Sequence, residues 1–134
     1  MNFRQRLANA ASSKETVVTI GVFDGVHQGH RHLLRQLVEL AGDRYVSTVI
    51  TFSNRPITVL RPGTEPSYLT TLDQRVDLIK QQDIESVVCL EFTLELAEVS
   101  AADFAKMLTE SLNMKGLVLG PDSALGKDRQ GDLG

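Results

Sequence analysis

Four short apolar runs most constrain how this 134-residue chain can fold. Each run is rich in β-branched residues and almost uninterrupted by polar ones, which is typical of a strand covered on both faces. The segments between the runs carry apolar residues at helical spacing. This alternation predicts an α/β fold with a Rossmann-like, doubly wound parallel sheet. The four runs are residues 17–22, 45–52, 86–92 and 116–120.

Each of the three segments between the runs carries a signal for the start or the end of a helix. Gly42 is placed to end the first helix. Thr71 and Gln74 have the spacing of a capping box, and Ser100 with Asp103 begins a third helix in a similar way. The N-terminal residues 1–15 resemble a surface helix or lead-in. The residues expected to face the core are Leu33, Leu34, Leu37, Val38 and Ala41 in the first helix, Leu72, Val76 and Ile79 in the second, and Phe104, Met107, Leu108 and Leu112 in the third.

The composition limits the classes of ligand and partner that this chain can bind. The 14 Lys and Arg against 17 Asp and Glu give a net charge of -3, which argues against binding nucleic acid or an anionic membrane through bulk electrostatics. The single Cys89 cannot form an internal disulfide, and the N-terminus lacks the apolar core of a secretory signal. No window approaches the ~18 apolar residues of a membrane span. We therefore expect a cytoplasmic domain whose ligands are held locally.

The segment GVFDGVHQGH, residues 21–30, is the most informative for function. It lies where the first strand passes into the first helix, and ligands of open parallel sheets bind at the carboxyl ends of strands. Its glycines allow a tight turn and close approach of the backbone to a ligand. The N–H groups at the start of the helix can bind an anion. His27 and His30 are three residues apart, so both rings project from one side of the first turn and can donate to phosphate oxygens.

Simpler interpretations compete with this phosphate site. Glycines at a strand end are often only turn formers, and His32 on the polar side of the helix is expected to be solvated. A zinc site on His27, His30 and Asp24 lacks a fourth ligand nearby in sequence. Three glycines, two histidines and an aspartate within ten residues favour a site for nucleotide phosphates.

The same segment resembles the H-x-G-H signature of the nucleotidyltransferase superfamily. In its extended form, G-x-F-D-G-x-H-x-G-H, it resembles the adenylyltransferase (FAD synthetase) module of prokaryotic bifunctional riboflavin kinase/FMN adenylyltransferases. Four further segments agree with that family in order and spacing, so the resemblance covers residues 17–132. They are TFSNRPITVLRP (51–62), YLTTLDQRVDLI (68–79), EFTLELAEVSAADF (91–104) and LVLGPDSALGKDRQGD (117–132).

The resemblance implies transfer of AMP from MgATP to the phosphate of FMN, giving FAD and pyrophosphate. A phosphate oxygen of FMN would attack the α-phosphorus in line, and Mg²⁺ would be held mainly by the ATP phosphates. His27 and His30 would be the catalytic residues, holding the ATP phosphates and the developing charge. The other matching positions are Gly21, Phe23, Asp24, Gly25 and Gly29 for ATP, and Asn54, Arg55, Asp122 and Arg129 for the flavin and its phosphate.

The chain also departs from the family pattern. Ser123 and Leu125 replace both aromatics of the family's D-F-x-F-G stretch, and only Pro56 remains of the two prolines in the second loop. The family's I-S-S-T-x-I-R motif and its riboflavin kinase module would lie beyond Gly134. We therefore expect one nucleotidyltransferase domain over 1–134, either truncated or naturally short, without its last strand. Its unpaired sheet edge is expected to leave residues 121–134 mobile or to promote self-association.

Two alternative functions stay open on the sequence alone: a catalytically impaired nucleotide-binding relative, and a nucleotidyltransferase for another phosphorylated acceptor. Two smaller features have simpler interpretations. Cys89 lies within an apolar run, and without a basic neighbour it is expected to be a small buried hydrophobe. Glu91, Glu95 and Glu98 are expected to form a solvated acidic face rather than a general acid/base pair.

Overall fold

The computed structural model describes residues 3–10, 13–21, 23, 28–53 and 71–118. The described strands are β1 (Thr16–Gly21), β2 (Val46–Phe52), β3 (Ser86–Leu90) and β4 (Met114–Val118). The described helices are α1 (Phe3–Asn9), α2 (Gln28–Ala41), α3 (Leu72–Lys80), α4 (Leu94–Ala97) and α5 (Ala101–Leu112).

All the described strands form one parallel sheet in the order β3-β2-β1-β4. This confirms the predicted α/β class and the parallel sheet. β1 pairs with β2 on one side and with β4 on the other, so the chain crosses back over the sheet between β3 and β4. The carboxyl ends of β1 and β4 therefore flank a topological switch point, where open α/β sheets bind ligands.

Helices cover both faces of the sheet and enclose two apolar clusters. α2 and α3 lie on one face, where the cluster includes Val17, Leu34 and Ile79. α1, α4 and α5 lie on the other, around a larger cluster that includes Phe104 and Leu108. The alternate residues of β1 divide between the two clusters, which is why the strand sequences are apolar without interruption.

The predicted helix boundaries are confirmed. Gly42 follows α2 with a left-handed φ of 51°. Thr71 and Gln74 form a complete capping box, with hydrogen bonds of 3.1 and 2.9 Å. Ser100 accepts a hydrogen bond from the Asp103 amide at 3.1 Å. These local signals fix where α3 and α5 begin.

Other details differ from the sequence prediction. β4 begins at Met114 rather than residue 116, because Asn113 ends α5 in the left-handed conformation, with φ 55°, and the chain joins the sheet at once. Helix α4 was not predicted. Leu7 is buried against the larger cluster, so α1 is anchored in the core rather than being only a surface lead-in. Of the residues expected to face the core, Leu72 and Val76 are only half-buried and belong to neither cluster, whereas the half-buried Leu33, Val38 and Met107 do pack against the clusters.

No helix in the described ranges is long and apolar enough to span a membrane. In the same ranges, β4 has β1 as its one strand neighbour.

Replacing a buried leucine of α5 tests this packing. Leu108 is fully buried, so Leu108→Ala should lower the free energy of unfolding by about 2–5 kcal/mol. Leu94→Ala is the matched control, because that side chain is 65% exposed and should change stability by less than about 0.5 kcal/mol. Urea denaturation followed by circular dichroism measures both. Equal losses in the two variants would contradict the assignment of the core.

Candidate functional site

The structure describes both ends of the predicted phosphate turn. Gly21 is the last residue of β1, and Gly29 and His30 lie in the first turn of α2. Phe23 is described between them. The described parts thus place these residues where β1 passes into α2, at the switch point of the sheet. His27, the other predicted catalytic residue, lies outside the described residues, as do the remaining predicted positions Asp24, Gly25, Asn54, Arg55, Asp122 and Arg129.

Phe23 folds back over the end of β1. Its φ of 57° is in the left-handed region, which is uncommon for a residue with a side chain. Its ring is buried, and it covers Gly21 so closely that a Cβ at that position would lie 3.0 Å from Phe23 Cε2 and 3.1 Å from Cζ. Gly21 is therefore required here to leave room for the ring, rather than for backbone freedom.

The same phenylalanine ring contacts His30. The two ring centroids are 5.1 Å apart at an interplanar angle of 70°, an edge-to-face arrangement. His30 is half-buried. Gly21, Phe23 and His30 thus form a packed series in which the glycine admits the phenylalanine and the phenylalanine supports one side of the imidazole. This holds the His30 ring at the N-terminal turn of α2.

The environment of His30 suits an anion. The first turn of α2 carries no acidic side chain, and the positive end of a 14-residue helix lies there. A bound phosphate would raise the pKa of an adjacent imidazole by favouring its charged form. In the described ranges, no three His, Cys, Asp or Glu side chains converge to hold a metal ion.

Arg75 is a buried residue near the site that the sequence analysis missed. It lies on α3, is 2% exposed, and its Nη1 donates to the Phe52 carbonyl oxygen at 2.5 Å and to Thr51 Oγ1 at 3.4 Å. Both partners are at the carboxyl end of β2. A signal was present: Arg75 occupies the i+3 position of the apolar stripe that begins at Leu72, where a solvated arginine would not be expected.

Cys89 has a basic neighbour after all. It lies on β3 opposite Thr51 in the strand register, half-buried, and the nearby charges of Arg75 and Arg6 favour its thiolate. Burial has the larger, opposite effect and raises the pKa of the thiol above its ordinary value of 9.0. The direction of the shift agrees with a thiol made unreactive by burial, whereas the expected lack of a basic neighbour is wrong.

The three acidic residues after β3, Glu91, Glu95 and Glu98, are all exposed. Glu95 Oε1 is 3.6 Å from Arg4 Nε, in a pair whose side chains are 60% and 53% exposed. A groove lined by Glu95, Glu98 and Asp103 lies beside α1 and α5, on the opposite face of the sheet from α2. This matches the expected solvated acidic face.

Gly21→Ala should separate Phe23 from His30. The added methyl group meets the Phe23 ring at about 3 Å, so the ring must move and the edge contact with the imidazole is lost. NMR of the His30 ring protons should show the loss of the aromatic ring-current shift. Gly42→Ala is the control: it strains a left-handed backbone by about 1 kcal/mol, but its Cβ meets nothing within 4 Å. An unchanged His30 spectrum in Gly21→Ala would refute the packed series.

The pH dependence of Cys89 alkylation tests the raised pKa. Because the thiolate is the reactive form, the rate with iodoacetamide should reach half its maximum above pH 9.0 in the native chain, and near that value in urea. The same shift means that the native state loses stability relative to the unfolded state as the pH rises through the raised pKa. The chain has one cysteine, so the signal is unambiguous. A native midpoint at or below the value in urea would contradict the dominance of burial.

Solved structures support the fold. A crystal structure described as a macrolide-efflux protein from Streptococcus pneumoniae aligns with a TM-score of 0.79 and 29% sequence identity, over 91% of this chain and 42% of that one. The efflux description belongs to that protein; the likeness here concerns the architecture of the sheet and helices.

The curated relatives that the chain matches share one name. The chain is 33% identical over 125 residues to the bifunctional riboflavin kinase/FMN adenylyltransferase of Escherichia coli K12, covering 92% of this chain and 40% of that protein. It is 37% identical over 119 residues to the protein of the same name from Pseudomonas fluorescens, covering 87% of this chain and 38% of that one. The chain thus spans about two fifths of the length of these relatives. The model of the family described as FAD synthetase matches residues 9–134. With both the family model and these relatives matched over most of its length, the chain belongs to the FAD synthetase family.

Proposed function

We propose that this chain transfers the adenylyl group of ATP to the phosphate of FMN, giving FAD and pyrophosphate. The observation that carries the proposal is the packed series of Gly21, Phe23 and His30 at the switch point of the sheet. It holds an imidazole beside a helix N-terminus, and this arrangement supplies N–H donors that can bind a polyphosphate. Membership of the FAD synthetase family supports FMN as the acceptor.

The reaction proposed is a single in-line displacement. An oxygen of the FMN phosphate forms a bond to the α-phosphorus of ATP. The bond from that phosphorus to the bridging oxygen of the β-phosphate breaks, and pyrophosphate leaves with the electron pair. No covalent intermediate with the protein is needed, so the contribution of the protein is to position the reactants and to stabilise the charge on the pentacoordinate phosphorus.

His30 and His27 are proposed to supply that stabilisation. His30 lies at the N-terminal turn of α2, where a protonated imidazole and the backbone N–H groups can donate to the same phosphate. The edge contact with Phe23 limits the rotation of the ring, so less conformational entropy is lost on binding. We propose that Gly25, Gly29 and Asp24 shape the remainder of the ATP turn.

Mg²⁺ is proposed to arrive bound to ATP. It prefers few protein ligands and keeps several waters in its coordination shell. When bound, it neutralises charge on the phosphates. The protein residues proposed to act beside it are His27 and His30.

A different phosphorylated acceptor is the second candidate. Ser123 and Leu125 stand where the resembled family has pocket aromatics, and each lost stacking contact would remove about 0.5–1.5 kcal/mol of flavin binding. Asn54, Arg55 and Arg129 carry N–H donors for the phosphate of any such acceptor, whereas the carboxylate of Asp122 can only accept hydrogen bonds from the rest of that molecule. FMN is preferred, because the matched relatives are named for that acceptor.

The test is FAD formation by the protein expressed from its complete reading frame. With FMN, ATP, Mg²⁺ and inorganic pyrophosphatase, chromatography should show FAD accumulating. His27→Ala and His30→Ala should each slow the reaction roughly 100-fold or more, the effect of removing one donor to a developing negative charge. His32→Ala is the control, since His32 is exposed on the same helix, and it should react at the parent rate.

Two results would contradict the proposal. Parent-like rates in both His27→Ala and His30→Ala would place the phosphate site elsewhere. ATP binding by calorimetry without any FAD would exclude FMN as the acceptor and favour the second candidate.

A further inference from the structure

Arg75 is an unusual residue for the core of a small domain. It is the largest side chain among the fully buried residues described, at 2% exposure, and it lies beside Ile79 on the buried side of α3. Removing a guanidinium from water costs stability, and a methionine or leucine could fill a core position without that cost. We therefore expect the Arg75 side chain to have a role other than filling space in the core.

Two hydrogen bonds of Arg75 converge on the end of one strand. Nη1 donates to the carbonyl oxygen of Phe52, the last residue of β2, and to the hydroxyl of Thr51 beside it. From the other side, the Ser53 amide donates to the Leu90 carbonyl oxygen of β3 at 2.8 Å. The point where the chain leaves the sheet after β2 is thus held by α3 and β3 together.

Two residues proposed to bind the acceptor phosphate follow β2 closely in sequence. Asn54 and Arg55 come immediately after Ser53, and three residues of extended chain reach at most about 10 Å beyond Phe52. The series of Gly21, Phe23 and His30, in contrast, is built on β1 and α2, whereas these hydrogen bonds of Arg75 reach the end of β2. The proposed ATP side of the site is therefore supported by β1 and α2, and the proposed acceptor side by Arg75 at the end of β2.

We propose that Arg75 is a positioning residue for the phosphorylated acceptor. By fixing the carboxyl end of β2, it sets where Asn54 and Arg55 begin, and so how well they meet the acceptor phosphate. Arg75 itself does not touch the substrate. This inference rests on the proposed function, with FMN as the acceptor tested.

Two substitutions of Arg75 separate this role from packing. Arg75→Met keeps most of the volume but removes the charge and the hydrogen bonds to Phe52 and Thr51. It should raise the KM for FMN about tenfold or more and change the KM for ATP less than twofold, with a Tm lowered by the loss of a donor to two buried oxygens. Arg75→Lys keeps the charge and a donating nitrogen, so it should recover part of the increase in the KM for FMN.

Ile79→Val is the matched control on the same helix. It removes one buried methylene group and should lower the Tm while leaving both KM values as in the parent. An unchanged KM for FMN in Arg75→Met would overturn the proposal. So would equal increases in both KM values that follow the Tm, because these indicate a purely structural residue.

Failure of the proposed function gives a different pattern. If the parent forms no FAD, the adenylyl-transfer proposal fails for FMN, and the role of Arg75 is then measured by hydrogen exchange. The Ser53 amide should exchange about tenfold faster or more in Arg75→Met, and at the parent rate in Ile79→Val. Unchanged exchange at Ser53 in Arg75→Met would show that the guanidinium does not hold the end of β2.

Discussion

The pairing of β1 with strands on both sides is the constraint on which the rest of the structure depends. In the part of the chain that the structure describes, β1 pairs with β2 from Thr16 to Gly21 and with β4 from Thr16 to Thr19. The connection after β1 leads to β2 on one side, and β4 lies on the other, so the switch in strand order falls at β1. The carboxyl end of β1, where the chain passes into α2, is therefore the place at which an open α/β sheet binds a ligand.

Local strain at this end is balanced by packing. A phenylalanine with positive φ costs of order 1–3 kcal/mol, and burial of its ring returns a comparable amount. Gly21 makes that burial geometrically possible, since a side chain there would compete with the ring for the same space. The conformation of Phe23 is thus set jointly by a missing Cβ and by a buried ring. The position of the His30 ring depends on both.

The sequence predicted what local chemistry determines and missed what depends on contacts across the sheet. The capping pairs Thr71 with Gln74 and Ser100 with Asp103 act over three residues, so their spacing sufficed. The early start of β4 was missed, because the left-handed Asn113 has no unambiguous signature in sequence. Arg75 was missed because a charged residue within an apolar stripe is ordinarily assigned to its edge. Its hydrogen-bond partners lie 23 and 24 residues earlier, on another element.

In the candidate site too, local features could be predicted from the sequence and contacts between distant residues could not. GVFDGVHQGH indicated a phosphate turn from composition and spacing alone, yet the contact of Phe23 with His30 depends on a backbone angle that no pattern of letters specifies. The influence of Arg75 on Cys89 likewise needs the register that places Cys89 opposite Thr51. Sequence thus predicted which residues carry the chemistry, and that assignment stays a prediction. The structure was needed to show what supports them.

The negative net charge of the chain does not oppose the proposed binding of ATP phosphates. At physiological salt, the field of a net charge of -3 decays within about 8 Å. The proposed donors, the His30 ring and the backbone amides at the start of α2, would act at hydrogen-bond distance, where screening is weak. A chain with an excess of acidic residues can therefore bind a phosphate through donors placed locally at one helix N-terminus.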